Sequence, residues 1–339
     1  VTWLSDEVVN RLRDVATWPE LPTDRYVLHR AIGRGGMGTV YAATDTLLGR
    51  DVAVKVSNSP VPAGELETRL KREARVLARL EHPGIVPVHD AGLLADGRLF
   101  YVMKWVQGRT LDAAGESLGE EARALSVFER LVDAVAFAHA RGVVHRDLKP
   151  SNVMHGRFGE VLVLDWGAAR LLEDAASART AGPAGTTSPE AAAGDRTARG
   201  MRIGTPGFMA PEQARGDASA AGPEADVYAL GALLCWMLTG TTTADASDAA
   251  RRLQTREPAV PKRLRAIVLK CLAADPGARY ATGAALAADL ARYRAGQAVS
   301  AHRETVFDRL GRWYLAYRGA ILLVAAYLVM RALFAWWSR

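Results

Sequence analysis

Glycines at 33, 35 and 38 stand in the run Ile32-Gly33-Arg34-Gly35-Gly36-Met37-Gly38-Thr39-Val40, between two stretches with β-type apolar spacing. A turn without Cβ atoms lets backbone N–H groups close over phosphate oxygens. The same glycines would serve a plain hairpin turn, and the run alone leaves both readings open. Lys55 then ends Val52-Ala53-Val54-Lys55, an ammonium on a strand with apolar neighbours. Eighteen residues later comes Glu73, in a segment where Leu66, Glu73 and Leu80 recur at intervals of seven and Leu70 and Leu77 flank them. This spacing puts a carboxylate on the buried stripe of a helix. An exposed position is the plainer alternative, but Glu67, Arg69, Arg72, Arg75 and Arg79 already occupy the exposed face. A buried carboxylate needs a partner, and Lys55 is the one expected, each charge satisfying the other while the ammonium is held toward the phosphates.

The most specific signal is His145-Arg146-Asp147-Leu148-Lys149-Pro150-Ser151-Asn152, followed thirteen residues later by Asp165-Trp166-Gly167. With these motifs in this order, residues 26 to about 294 resemble a eukaryotic-like (Hanks-type) protein kinase of the bacterial serine/threonine branch. The resemblance implies an α+β, bilobal protein kinase fold: a small β-rich lobe carrying one key helix and a larger helical lobe. It implies that Asp147 receives or orients the proton of the attacking hydroxyl and that Lys149 steadies the transferring phosphoryl group. Asn152 and Asp165 would hold Mg²⁺, or Mn²⁺ in its place, and Lys55, paired with Glu73, would contact the α- and β-phosphates of ATP. Ile32, Val40, Ala53 and Met154 match the apolar adenine slot, Met103 takes the gatekeeper position, and the backbone of Lys104 and Val106 would meet the adenine edge. Lys149 with Thr205 follows the pattern of serine/threonine rather than tyrosine kinases. Arg146, directly before the catalytic aspartate, implies switching by a phosphate on the segment 165–212, where Thr197 is favoured among Ser177, Thr180, Thr186, Thr187, Ser188 and Thr197. Glu212 is expected to pair with Arg279, and Asp226 to tie the catalytic loop to a buried helix.

Three positions depart from the family pattern. Trp166 replaces a phenylalanine, Lys104 replaces a commonly acidic hinge residue, and the run 239–252 replaces a proline-rich stretch and a longer helix. The implied function is phosphorylation of protein serine and threonine hydroxyls, with a transient dimer serving autophosphorylation. The alternative is a nucleotide-binding pseudokinase acting as a scaffold at the membrane, which the joint presence of Lys55, Glu73, Asp147, Asn152 and Asp165 disfavours.

The elements that would position these residues are legible as spacing. Residues 3–17 read as an amphipathic helix within an extension, 1–24. From 26 to 106 the apolar period alternates between two and 3.6, as in a sheet carrying a helix; from 107 to 294 it reads mainly as helices. Residues 170–201 are low in complexity and poor in large apolar side chains, which predicts a mobile loop. A basic segment, 295–318, leads into 319–337, where Ala320 to Trp337 carries a single charge, Arg331, and as a helix would be roughly 27 Å long. Trp313, Tyr314, Tyr317, Trp336 and Trp337 flank this run, and Arg303, Arg309, Arg312 and Arg318 precede it. These features predict a single-pass helix in the inner membrane with the kinase on the cytoplasmic side, an interfacial or core-packed helix being the alternative. The chain of 339 residues has 43 basic and 37 acidic side chains, a formal charge of +6, yet no nucleic-acid motif or clustered patch outside the membrane-proximal arginines. Cys235 and Cys271 lack metal-ligand spacing, which excludes a zinc or disulfide scaffold.

Overall fold

A computed structural model describes residues 18–35, 38–61, 76, 79–113, 121–166, 169–171, 207–215, 222–256, 258–302 and 306–337. Strands β1 (Tyr26–Gly35), β2 (Gly38–Asp45), β3 (Arg50–Ser57), β4 (Val88–Leu93) and β5 (Leu99–Lys104) form an antiparallel sheet in the order β1-β2-β3-β5-β4. Period two explains β3: Val52, Val54 and Val56 all turn into the small-lobe core with Tyr41, Phe100 and Val102, while Lys55 points to the opposite face. Gly38 is needed where β2 crosses β3, since a Cβ there would lie 2.4 Å from the Val56 carbonyl oxygen.

The sheet's entry is tied by ions. Arg25 forks onto Asp45 through Nε at 2.9 Å and a terminal nitrogen at 2.8 Å, with Arg50 at 3.4 Å from the same carboxylate. The hydrogen bonds from Arg25, with lesser help from Leu48 N–H and Arg50, lower the Asp45 pKa to about 2. Because the folded-state value lies below that of the unfolded chain, about 3.9, this pair stabilises the fold fully above that value and ceases to do so as pH falls through about 2. Asp45→Asn is therefore expected to melt below the wild type at pH 6, and the gap should close between pH 4 and pH 2; a pH-independent gap in melting temperature would refute the pairing.

The larger lobe is built on α1 (Glu121–Ala140) and α3 (Pro223–Thr239), which pack with α5 (Lys262–Cys271) and α6 (Gly283–Arg294) around one apolar core. Between them in sequence come β6 (Gly108–Thr110), β7 (Val143–Val144), β8 (Val153–Gly156), β9 (Val161–Val163), β10 (Arg170–Leu171) and the short helix α2 (Pro211–Ala214). Small sheets β6-β8-β9 and β7-β10 lie within this mainly helical lobe. Helix α4 (Ala246–Thr255) is capped by Asp245, whose carboxylate accepts from Ser247 and Asp248 N–H.

Beyond α6 the body continues through residue 302. The buried Asp289 accepts from Tyr280 OH, Ser300 N–H and Oγ, and Ala301 N–H, at 2.7 to 3.2 Å, and Val299 is buried in the main core. Helix α7 follows as one element of 32 residues, Val306–Trp337. Among the described residues, no helix is long and apolar enough to cross a membrane. The span expected over 319–337 lies within α7, which includes Arg331, and is not borne out as a membrane crossing among the described residues.

Candidate active site

The loop from β7 to β8 gathers its functional groups by local bonds. Lys149 Nζ donates to Asp147 Oδ2 at 2.8 Å, and Asn152 Nδ2 donates to the Asp147 carbonyl at 2.7 Å and to its Oδ2 at 3.1 Å. Pro150–Asn152 forms a single 3₁₀ turn, closed by Asn152 N–H on the Lys149 carbonyl, which brings positions 147, 149 and 152 to one side. Asp147 and Asn152 are buried, whereas the Lys149 side chain is partly open.

Two further contacts align the next strand. Leu164 N–H donates to the Asn152 carbonyl at 2.8 Å, and His145 Nε2 bonds the Leu164 carbonyl at 2.9 Å. They fix the residue that precedes Asp165, which itself adopts a left-handed conformation at φ 57°. Asp165 Oδ1 accepts from Lys55 Nζ, so the β3 lysine reaches across the cleft. Met103 and Met154 pack with Val86, Val106, Leu162 and Leu164 in a small apolar cluster, while Ala53 is paired in register with Met103 on the neighbouring strand. Val40 pairs in register with Lys55. Ile32, Gly33, Arg34 and Gly35 are exposed on β1, Thr39 follows on β2, and Lys104 is exposed at the end of β5. Gly36, Met37, Glu73, Thr197 and Thr205 lie outside the described residues.

The donor set suits a hard cation. Asn152 commits its amide nitrogen to Asp147, so that its side-chain carbonyl oxygen is the atom it could offer to a metal. Among the described residues no group of three or more His, Cys, Asp or Glu forms a metal cage. One carboxylate and one amide oxygen, completed by phosphate oxygens and water, is a set that Mg²⁺ accepts.

The supporting shell is buried. Asp226 Oδ1 accepts from Arg146 N–H at 2.8 Å, and its Oδ2 accepts from His145 N–H at 2.8 Å and from His139 Nε2 at 2.9 Å. Burial pushes the Asp226 carboxyl up, but the hydrogen bond from His139 and the loop N–H groups outweigh it and hold it below the usual carboxylate range. His139 Nδ1 in turn accepts from Gly283 N–H at 3.1 Å, which assigns the ring proton to Nε2. Glu212 and Arg279 meet through parallel contacts of 2.7 and 2.9 Å in the interior, the bidentate geometry that suits guanidinium to carboxylate. Trp166 is 7% exposed, packs in the main core and meets the His145 ring edge to face at 4.6 Å. The larger ring at this position is thus accommodated without displacing Asp165 from Lys55. The Thr-rich turn before α4 is also occupied: Thr243 is buried, and Gly207, at φ 97°, would bring a Cβ to 3.1 Å from Thr242.

His139 was not singled out by sequence, although a polar residue on the buried stripe of α1 is a usable signal. Asp226 and the Glu212–Arg279 pair occupy the places expected of them.

A sheet lobe and a helical lobe, with an aspartate-lysine-asparagine loop facing a lysine-aspartate pair, define a protein kinase domain. Residues 26–290 match the family model described as protein kinase domain, and the chain belongs to that family. Among its relatives, serine/threonine-protein kinase PknD of Chlamydia caviae is 36% identical over 299 residues, covering 80% of this chain and 31% of the relative. Serine/threonine-protein kinase PknB of Mycolicibacterium smegmatis is 37% identical over 307 residues, covering 84% of this chain and 45% of the relative. The chain thus spans less than half the length of these relatives. The crystal structure of the Mycobacterium tuberculosis PknI kinase domain superposes with a TM-score of 0.58 at 25% identity, covering 80% of this chain and 97% of that one.

Proposed function

We propose that this chain is a serine/threonine protein kinase that transfers the γ-phosphoryl group of ATP to hydroxyls of protein substrates, its own activation segment among them. The observation that carries the reading is the convergence of Lys149 and Asn152 on Asp147, opposite the Lys55–Asp165 pair. Asp147 is held by its neighbours so that a carboxylate oxygen meets the incoming hydroxyl, orients it and takes its proton. Lys149, anchored at 2.8 Å, presents its charge beside that oxygen, where negative charge gathers on the transferring group. Lys55 would steady the α- and β-phosphates, while Met103, Met154 and Val106 form an apolar wall for the purine. Asn152 and Asp165 would hold Mg²⁺, which when bound neutralises phosphate charge. Phosphoryl transfer asks mainly for alignment and charge stabilisation, and these are the functions this chain's side chains supply.

The reading divides the chain into an extension at 1–24, a kinase domain at 26–294 with its activation segment at 165–212, a basic segment at 295–318 and an anchor at 319–337. Thr197 is the favoured regulatory hydroxyl, Arg146 the cation that would receive its phosphate, and Thr205 a further regulatory position. The anchor is supported by apolar side chains left in solvent along α7: Leu323 is 75% exposed, Phe334 73% and Trp337 83%. The proposed setting is the inner membrane, with the kinase on the cytoplasmic side.

The test is incubation of the purified full chain in detergent with γ-labelled ATP, Mg²⁺ and a protein acceptor, followed by phosphoamino-acid analysis. Label on serine or threonine supports the reading. ATP retained without label would instead indicate a nucleotide-binding scaffold. For the anchor, the full chain should float with anionic lipid vesicles and a chain ending at residue 302 should not; recovery of the full chain in the soluble fraction would defeat it.

A further inference from the structure

We propose that Gln213 is a positioning residue for the catalytic loop: its side-chain amide couples the seat of α2 to the backbone of Arg146, the residue directly before Asp147. The inference rests on the phosphotransfer reading and adds to it the residue that sets the loop's geometry from the end of the activation segment.

Arg146 adopts φ 71°, a left-handed conformation that an L residue with a long side chain takes at a cost. Something must hold it there, and both its backbone groups are held. Its N–H donates to Asp226 Oδ1 at 2.8 Å, and its carbonyl accepts from Gln213 Nε2 at 2.9 Å. The second bond fixes the peptide unit shared by Arg146 and Asp147, and so the direction in which Asp147 leaves the backbone.

The two holds differ in origin. Asp226 is 1% exposed and belongs to the large-lobe core helix α3. Gln213 belongs to α2, a four-residue helix at the end of the 165–212 segment, and its other amide atom, Oε1, accepts from Ala210 N–H at 3.2 Å. One side chain therefore caps α2 and reaches the catalytic loop at once. Neighbouring Glu212 is pinned by the buried Arg279, which limits the positions α2 can take. Gln213 also lines a cleft with Arg146, Asp147, Phe208 and Asp226. An amide is the side chain this place requires, since it must accept from one backbone group and donate to another.

Two substitutions separate the bonds. Gln213→Glu keeps an oxygen for Ala210 N–H but sets a carboxylate oxygen against the Arg146 carbonyl, whereas Gln213→Met keeps the length and loses both bonds. The full chain and both variants are compared by kcat, by KM for ATP, and by backbone hydrogen exchange across 143–149. We expect both variants to lower kcat about tenfold, the scale of one lost hydrogen bond, with KM for ATP within about twofold. Exchange at 143–149 should quicken in both. A Gln213→Glu variant with wild-type kcat and exchange would show that Gln213 only caps α2 and would overturn the proposal. So would unchanged exchange in both variants, or loss of the fold in both. If the wild type itself transferred no phosphate, the phosphotransfer reading would fail, and the exchange comparison alone would decide the role of Gln213.

Discussion

Asp147→Ala is expected to lower phosphoryl transfer roughly 10²- to 10⁴-fold, the usual contribution of a positioned general base or proton-orienting group. ATP affinity should change little, because the adenine wall and Lys55 do not contact this side chain. Removing the carboxylate leaves the Lys149 ammonium without its 2.8 Å partner, but Lys149 is 22% exposed and can be solvated, so the melting temperature should stay close to that of the wild type. Asp147→Asn is the more demanding comparison. It preserves size, and its amide oxygen can take the Oδ2 place where Lys149 and Asn152 converge, but the other oxygen is then replaced by an NH₂ donor, and an amide cannot take up a proton. It should therefore lose nearly as much rate as alanine. A steady-state kcat within tenfold of the wild type for either variant would remove Asp147 from the reaction. Lys149→Met, measured alongside, should lower kcat and spare ATP binding.

What could be read from the chain follows the distance over which each interaction is made. Asp147, Lys149 and Asn152 fall within six residues, and a single 3₁₀ turn joins them, so their spacing already implies convergence. Lys55 could be placed because Val52, Val54 and Val56 fill the opposite face of β3. The Lys55–Asp165 contact spans 110 residues, and local spacing could not reveal it. Gln213 was illegible for another reason: its partner is a backbone group, the Arg146 carbonyl, and a backbone group leaves no mark in the sequence. The short strands at Val143–Val144 and Val161–Val163 were absorbed into a helical reading, since apolar runs of two or three residues carry no period. The hold of Asp289 on Ser300 and Ala301 was hidden for the same reason as Gln213, two of its donors being main-chain N–H groups.

Asp226 is where the longest-range support and the chemistry meet, and Asp226→Ala is expected to damage both. The carboxylate is 1% exposed and accepts from His139 Nε2, His145 N–H and Arg146 N–H, so alanine leaves all these donors buried and unmet. At about 1–3 kcal/mol for each unsatisfied group, the loss should reach several kcal/mol, a large part of the stability of an ordinary domain. Asp226→Asn separates fold from function. One amide oxygen can replace Oδ2 and keep His139 and His145, but the amide nitrogen then faces Arg146 N–H, donor against donor; the opposite orientation loses the other two. The asparagine variant should fold with a loss of about 1–3 kcal/mol while Arg146 is released on its amide side. Displacing a reacting group by about 1 Å can cost 10²-fold in rate, so kcat should fall by at least tenfold with ATP binding retained. Chemical denaturation and steady-state kinetics on the same preparations decide the matter. A stable Asp226→Asn protein with unaltered kcat would mean that Arg146 keeps its left-handed turn without this carboxylate, and that the catalytic loop is held from the Gln213 side alone.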